Sequence, residues 1–131
     1  MAQNPRGIAY LAAPYSHPDP QVRKARYESA TATAAKLARR GVIVFSPLTL
    51  THPMDVLLAD EGQTLGSDYW VGYDAAFMEI CSEIIVLRLD GWEKSKGVSS
   101  ELAFFRQRGR PITFMDPIEH NELEVADATY C

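Results

Sequence analysis

The 131-residue sequence predicts an α/β protein in which helices cover both faces of a parallel sheet of four to five strands. Two observations support this three-layer sandwich. The apolar segments typical of strands are continuous runs, as expected for strands buried on both faces. These runs also alternate along the chain with helical segments, which indicates right-handed crossover connections and a flavodoxin-like (Rossmannoid) topology.

The first half of the chain contains two predicted strands around one helix. Residues 8–13 form an apolar run that Pro14 ends. Asp19 followed by Pro20 is typical of a helix start, and this helix should run to about residue 40, where Gly41 ends it. Residues 42–45 are the second strand. Residues 48–66 are the least defined, with one or two helical turns expected within 53–61.

The second half repeats the alternation. A helix is expected over residues 67–81, strands over 84–89 and 111–115, and between these strands a helix that follows Gly97 and ends at Gly109. From Pro117 onward the pattern fits a short helix, an edge strand or a loose tail. The helix over 67–81 carries an apolar stripe at helical spacing, formed by Trp70, Tyr73, Phe77 and Cys81.

Length and composition fit one globular domain spanning residues 1–131, with 47% hydrophobic and 23% charged residues. The net charge of −4 argues against a nucleic-acid polymer as partner. The two cysteines and three histidines lack the spacing of a metal site, so neither a metal nor another cofactor is expected. No signal peptide or membrane-spanning run is visible, which predicts a cytoplasmic protein without membrane contact.

Glu101 is the first candidate for chemistry. The Gly/Ser-rich segment 91–100 joins a buried strand to a helix, and free backbone N–H groups at such a junction suit an anionic ligand. On this helix Glu101 falls within the apolar arc, between Phe104 and Phe105. Charged residues rarely face inward without a role, so a functional carboxylate is predicted.

Asp74 is the second anomaly, because it lies near the middle of the apolar stripe of its own helix. A carboxylate at that position is desolvated unless it finds a partner or a pocket. One interpretation is a structural acid that binds backbone donors or an arginine such as Arg26. The other pairs Asp74 with Glu101 for acid–base or nucleophilic work.

Ligands of such sheets bind at the carboxyl ends of the strands, and further candidates lie there. Several have an ordinary structural alternative: Tyr10 as a core residue, Asp90 and Ser95 as caps, and Trp92 as cover for the sheet edge. The candidates for substrate binding are Ser16, Ser46, Asp90, Trp92, Ser95, Gly97 and Ser99.

Four segments in register resemble the nucleoside 2-deoxyribosyltransferase superfamily over roughly residues 7–116. Residues 10–14 (Tyr-Leu-Ala-Ala-Pro) are similar to its Tyr-Leu-Ala-Gly-Pro strand, and Asp74 before the run 81–87 to its helix-to-strand aspartate. Residues 95–101 are similar to its Gly-Thr-x-x-Glu segment, and residues 109–112 to its Gly-x-Pro-Ile strand entry.

The resemblance implies cleavage of the N-glycosidic bond of a nucleoside or nucleotide. Glu101 would be the nucleophile that forms a glycosyl–enzyme intermediate, Tyr10 would position it, and Asp74 would contact the substrate and assist proton transfer. Members of the superfamily are dimers or tetramers, so the resemblance also implies a homo-oligomer. Trp70, Tyr73, Phe104 and Phe105 exceed what one helix layer needs, and some are expected to face a partner copy.

One departure from the family pattern refines this expectation. The transferases carry an aspartate six residues before the nucleophile, where this chain has Ser95. The pattern is therefore closer to the nucleotide N-hydrolase branch, which uses that serine for the 5′-phosphate. The Trp92 motif is also similar to that of an uncharacterised bacterial group within the superfamily. Hydrolysis and transfer between bases both stay open, as do a non-catalytic nucleotide-binding or sensory module and a structural or partner-binding domain.

Overall fold

A computed structural model describes residues 7–117 as four strands and four α-helices with one short 3₁₀ turn. In chain order the elements are β1 (Ile8–Ala12), α1 (Pro20–Arg39), β2 (Val44–Phe45), α2 (Pro47–Asp60), α3 (Ser67–Met78), β3 (Cys81–Leu87), the 3₁₀ turn (Trp92–Lys94), α4 (Lys96–Gln107) and β4 (Ile112–Met115).

The four strands form one sheet in the order β2-β1-β3-β4, and every neighbouring pair is parallel. Tyr10 of β1 lies in register with Phe45 on one side and Ile84 on the other. The predicted three-layer α/β sandwich is confirmed, with four strands. The chain leaves β1 toward β2 on one side and places β3 on the other, so the topological switch point, where such sheets bind ligands, lies between β1 and β3.

Side chains of each strand point alternately to the two faces and build two cores. Ala9 and Leu11 of β1 belong to the core under α1 and α2, whereas Tyr10 and Ala12 belong to the core under α3 and α4. Phe105 of α4 is fully buried in this second core, so it is not one of the aromatic residues that could face a partner copy. The split brings Tyr10 to the same side of the sheet as Glu101.

Two helix starts follow the predicted cap chemistry. The Asp19 carboxylate accepts a bond from the backbone N–H of Gln21 at 2.9 Å, ahead of Pro20 in the first turn. The Ser95 hydroxyl likewise accepts from the N–H of Val98 at 3.1 Å and caps α4. These caps fix where α1 and α4 enter the edge of the sheet.

Two predictions of local structure were wrong. Residues 47–60 form a continuous 14-residue helix, α2, where one or two turns were expected. Pro47 fits its first turn because no intrahelical N–H bond is needed there, while Pro53 is tolerated inside the helix. Cys81 is the buried first residue of β3 and does not belong to α3, which ends at Met78.

The strands and helices otherwise begin and end within a few residues of the predicted bounds; β2 is shorter, at Val44–Phe45, and β3 starts earlier. The interpretation of the tail, together with His120 and Cys131, lies outside the described residues. No helix within residues 7–117 combines the length and apolar character needed to cross a membrane.

Candidate active site

A cavity of about 810 Å³ opens at the carboxyl ends of β1 and β3. Its walls come from the loop after β1, from α1, α2 and α3, and from the turn before α4 together with the start of that helix. The volume lies in the range of small-molecule sites, and the position is the switch point of the sheet. Of the candidate residues, Ser16, Asp74, Ser95, Gly97 and Glu101 line this cavity.

Glu101 lies in the second turn of α4 and forms part of the cavity wall. The Tyr10 hydroxyl donates a hydrogen bond to Glu101 Oε2 at 2.7 Å. Burial raises the pKa of the Glu101 carboxyl to about 8; the bond from Tyr10 opposes this rise, and the negative charge of Asp74 adds to it. The carboxyl is therefore largely protonated at pH 7.

Tyr10 is fully buried beneath Glu101. Its ring packs between Phe45 and Phe105, with ring centroids at 5.8 and 5.9 Å. Burial, then the nearby charges of Glu101 and Asp74, raise the pKa of Tyr10 well above its ordinary value, so its hydroxyl stays protonated and remains a donor. This packing holds the hydroxyl in place and thereby orients the Glu101 carboxyl.

Asp74 lines the same cavity from α3. Within the described part of the chain its buried Oδ1 has no hydrogen-bond partner. Burial raises the pKa of Asp74 to about 6. Arg26, the partner that a structural interpretation would give it, instead donates to the backbone carbonyls of Ser16 and Asp90, both at 3.1 Å.

The two raised pKa values have a common cause. Each carboxyl has lost much of its hydration, and the charge of Asp74 further disfavours ionisation of Glu101. Two carboxyl groups with different pKa values are typical of active sites that perform acid–base or nucleophilic catalysis.

Four basic side chains also lie in the walls of the cavity: Arg23, Arg26, Lys94 and Lys96. The cap at Ser95 binds the N–H of Val98, and the N–H of Ser99 donates to the Ser95 carbonyl at 3.0 Å. The first N–H groups of an α-helix have no intrahelical acceptor, and both Lys96 and Gly97 line the cavity. The cavity wall therefore offers an anionic group both cations and helix N–H groups, in addition to the acids.

The remaining binding candidates do not line this cavity. Ser46 is buried, and its hydroxyl lies 2.8 Å from that of Thr49. Asp90 is exposed beside a separate shallow depression. Trp92 packs on Phe114 with ring centroids at 5.6 Å, which matches the alternative interpretation as cover for the sheet edge. Ser99 is exposed on α4.

Sequence reasoning missed part of the cavity wall. Tyr15, Arg23, Thr51, Asp55 and Trp70 contribute side chains that were not among the candidates. Thr51 and Asp55 stand four residues apart on α2 and therefore share a helix face. That signal was hidden because Pro47 and Pro53 made the segment resemble a loop.

No group of three or more His, Cys, Asp or Glu side chains within residues 7–117 is placed to hold a metal ion. The site combines a buried carboxyl that accepts from a fixed tyrosine, a second acid, and basic side chains in the cavity wall. The arrangement suits a small ligand that carries an anionic group.

Comparison with known proteins assigns the chain to a family that has no assigned activity. No curated protein matches the chain. A family model described as a domain of unknown function (DUF1937) matches residues 7–117, which include all four strands, the cavity, Tyr10, Asp74 and Glu101. The protein therefore belongs to the DUF1937 family.

Proposed function

We propose that the protein cleaves the N-glycosidic bond of a nucleoside or a nucleoside 5′-monophosphate through a glycosyl intermediate on Glu101. The proposal joins two independent lines of support. The first is the resemblance of residues 10–14, 74–87, 95–101 and 109–112 to the nucleoside 2-deoxyribosyltransferase superfamily. The second is the set of contacts around Glu101.

One observation carries the proposal: the Tyr10 hydroxyl donates to Glu101 Oε2 at 2.7 Å beside a cavity that Asp74 also lines. A nucleophilic carboxylate must keep one oxygen aimed at the anomeric carbon. A rigid donor on the other oxygen does this, because it fixes the plane of the carboxyl. Tyr10 is suited to that role, since its ring is fully buried between two aromatic rings.

The chemistry proceeds in two balanced steps. With pKa values of about 6 for Asp74 and about 8 for Glu101, the pair holds one proton at neutral pH. Asp74 first takes the proton of Glu101. As the ionised Glu101 oxygen attacks C1′, the C1′–N bond breaks, its electron pair stays with the base, and the proton passes from Asp74 to that base. Water then attacks C1′, releases the sugar from Glu101 and returns a proton to the pair.

The 5′-phosphate of a nucleotide would lie at the start of α4. Lys94 and Lys96 supply charge there, and the start of α4 supplies N–H groups beside Ser95. Ser95 replaces the aspartate of the transferases, which favours a phosphate ligand and water as acceptor. Transfer between bases is the variant of this proposal in which a second base takes the place of water.

The decisive test is release of free base from a panel of ribo- and deoxyribonucleoside monophosphates and nucleosides, followed by chromatography. Glu101→Gln removes the nucleophile and should abolish release, whereas Glu93→Gln should not change it. Glu93 is an exposed acid of the 3₁₀ turn and lies outside the cavity wall, so it is a matched control. A panel on which the wild-type protein neither releases base nor shows binding contradicts the proposal.

A non-catalytic nucleotide-binding or sensory module is the second candidate, and one observation favours it. Because burial raises the pKa of Glu101 to about 8, the protonated carboxyl can also serve as a plain hydrogen-bond donor to a ligand. This candidate predicts binding of a nucleotide without release of base. Mass spectrometry separates the two, because only the enzyme forms a covalent glycosyl adduct on Glu101 during turnover.

We also propose that the protein is a homo-oligomer. Leu50, Met54 and Leu57 of α2 are exposed and follow one another at helical spacing, so they form one apolar face. Tyr69 and Val71 at the start of α3 are exposed as well. Contiguous exposed apolar residues are typical of an interface with another copy.

A further inference from the structure

A second cluster of titratable side chains lies in and behind the cavity wall formed by the loop after β1 and by α2. It consists of Tyr15, His52 and Asp55. Tyr15 and Asp55 line the cavity, and His52 is buried with 8% of its surface exposed. The mechanism proposed for Glu101 and Asp74 does not use these three residues.

Hydrogen bonds and ring stacking hold this cluster together. The Tyr15 hydroxyl lies 2.7 Å from His52 Nδ1 and 3.4 Å from Asp55 Oδ2. The His52 ring stacks on Tyr27 of α1, with centroids 4.5 Å apart and planes tilted by 25°. The short contact to His52 is strong, whereas the contact to Asp55 is long for a bond to a carboxylate, so Asp55 keeps most of its capacity to accept.

The protonation states follow from burial. Burial lowers the pKa of His52, which is therefore neutral at pH 7. Burial, together with the charge of Asp55, raises the pKa of Tyr15 to about 12, so its hydroxyl stays protonated. A neutral imidazole has one donor and one acceptor nitrogen. The tautomer of His52 therefore decides whether Tyr15 donates toward the ligand or accepts from it.

The charged residues of the cavity indicate which part of a nucleotide would contact Tyr15 and Asp55. The sugar must lie at Glu101, and a phosphate is attracted to Lys94, Lys96 and the start of α4. Arg23 also lies beside Tyr15 and is cationic, whereas the Asp55 carboxylate is an acceptor that suits a ligand group donating N–H bonds. In a nucleotide those donors belong to the base.

We propose that Asp55 and Tyr15 select substrates whose base carries an exocyclic amino group, with His52 as the residue that positions Tyr15. Guanine fits best, since its ring N–H and amino group present two donors side by side to a carboxylate. This inference rests on the proposed function for the identity of the ligand, and it adds the base preference and the residue that sets it.

The test compares bases that differ at the amino group. Affinities for guanosine and inosine 5′-monophosphate, and for the cytidine and uridine pair, are measured by calorimetry on the Glu101→Gln protein, which does not require turnover. We expect the amino-bearing member of each pair to bind about 10- to 100-fold more tightly, as for a hydrogen bond to a charged group. Asp55→Asn should bring these ratios close to 1. Asp60→Asn, an exposed acid near the end of the same helix, should leave them unchanged.

The experiments distinguish a failure of the proposed glycosidase activity from a failure of the proposed base recognition by Asp55. Base release by the wild-type protein, with ratios that Asp55→Asn does not change, overturns the inference and leaves the glycosidase intact. Amino-dependent binding that Asp55→Asn removes, without base release, overturns the glycosidase and leaves the recognition by Asp55 intact. If the Glu101→Gln protein binds both members of each pair with equal affinity, the inference is also overturned.

His52 is tested through selectivity, which a purely structural residue would not change. His52→Phe keeps the stacking on Tyr27 and removes the ring nitrogen, and it should reduce the amino preference several-fold in a protein that still folds. His52→Asn places an amide near the former Nδ1 and should restore part of that preference. Circular dichroism verifies folding, and an unchanged preference in His52→Phe contradicts the positioning role.

Discussion

The Tyr10 hydroxyl donates to Glu101 Oε2 at 2.7 Å, although 91 residues of chain separate the two side chains. Tyr10 stands in the central strand β1 and Glu101 on α4, which packs over the same face of the sheet. Burial of Glu101 favours its protonated form, and the tyrosine bond is the contact that opposes this effect.

Tyr10→Phe should reduce kcat/KM for base release by about 10- to 100-fold, as expected for loss of a hydrogen bond to a charged group. The phenyl ring keeps the packing against Phe45 and Phe105. Because the bond lowers the pKa of Glu101, its loss raises that pKa, and the rise of kcat with pH should move to higher pH. Tyr69→Phe, which changes an exposed tyrosine of α3, is the control. A pH profile that does not move would show that Tyr10 does not act through Glu101.

Stability should fall as pH rises through the window set by the two acids. The pKa of Asp74 is raised from 3.8 to about 6 and that of Glu101 from 4.5 to about 8. The folded protein therefore binds more protons than the unfolded chain between about pH 4 and pH 8, and the stabilisation present below pH 4 is lost across that interval.

Glu101→Gln removes the ionisable group and should flatten this dependence. Near pH 5 the variant and the wild-type protein should have similar stability, whereas at pH 8.5 the variant should be more stable by on the order of 3–5 kcal/mol. Thermal unfolding from pH 5 to 8.5 measures the difference, with Glu93→Gln as control. A difference in melting temperature that stays constant with pH would contradict a raised pKa for Glu101.

The sequence predicted most of the fold because its local signals agree with its tertiary structure. The runs at 8–13 and 84–89 are continuous since both faces of the sheet are covered. Asp19 and Ser95 predicted two helix starts because a cap is local chemistry. Cys81 was misassigned because a short helical stripe ran into the following strand, and periodicity alone does not separate the two.

The candidate site was predictable where an acid interrupted an apolar pattern. Glu101 and Asp74 stood out for this reason, and both line the cavity. Tyr15 and Asp55 interrupt no pattern, since they lie in a breaker-rich loop and in a helix whose prolines hid it. Their proximity to His52 depends on how α2 packs against the loop after β1, and no short window of sequence contains that information.

Ser95→Ala should weaken both the fold and the binding of phosphate. The Ser95 hydroxyl accepts the N–H of Val98 at 3.1 Å, and loss of such a cap destabilises a helix by about 1 kcal/mol. If the same residue helps to bind a 5′-phosphate, the affinity for nucleoside monophosphates should fall more than the affinity for nucleosides. Ser100→Ala on the same helix changes an exposed serine outside the cavity and is the control for both measurements. Equal losses for nucleotide and nucleoside would restrict Ser95 to the role of a helix cap.

Leu57→Glu should dissociate the proposed oligomer. Leu50, Met54 and Leu57 have 47%, 40% and 59% of their surface exposed and share one face of α2. A carboxylate buried there against a second copy would lose its hydration without gaining a partner, which disfavours association. Size-exclusion chromatography with light scattering should give a dimer or tetramer for the wild-type protein and a monomer for the variant. Ala59→Glu adds the same charge to the opposite side of the helix and should keep the oligomer. A wild-type protein that elutes as a monomer at high concentration would contradict this interface, because the apolar face of α2 would then stay exposed to water.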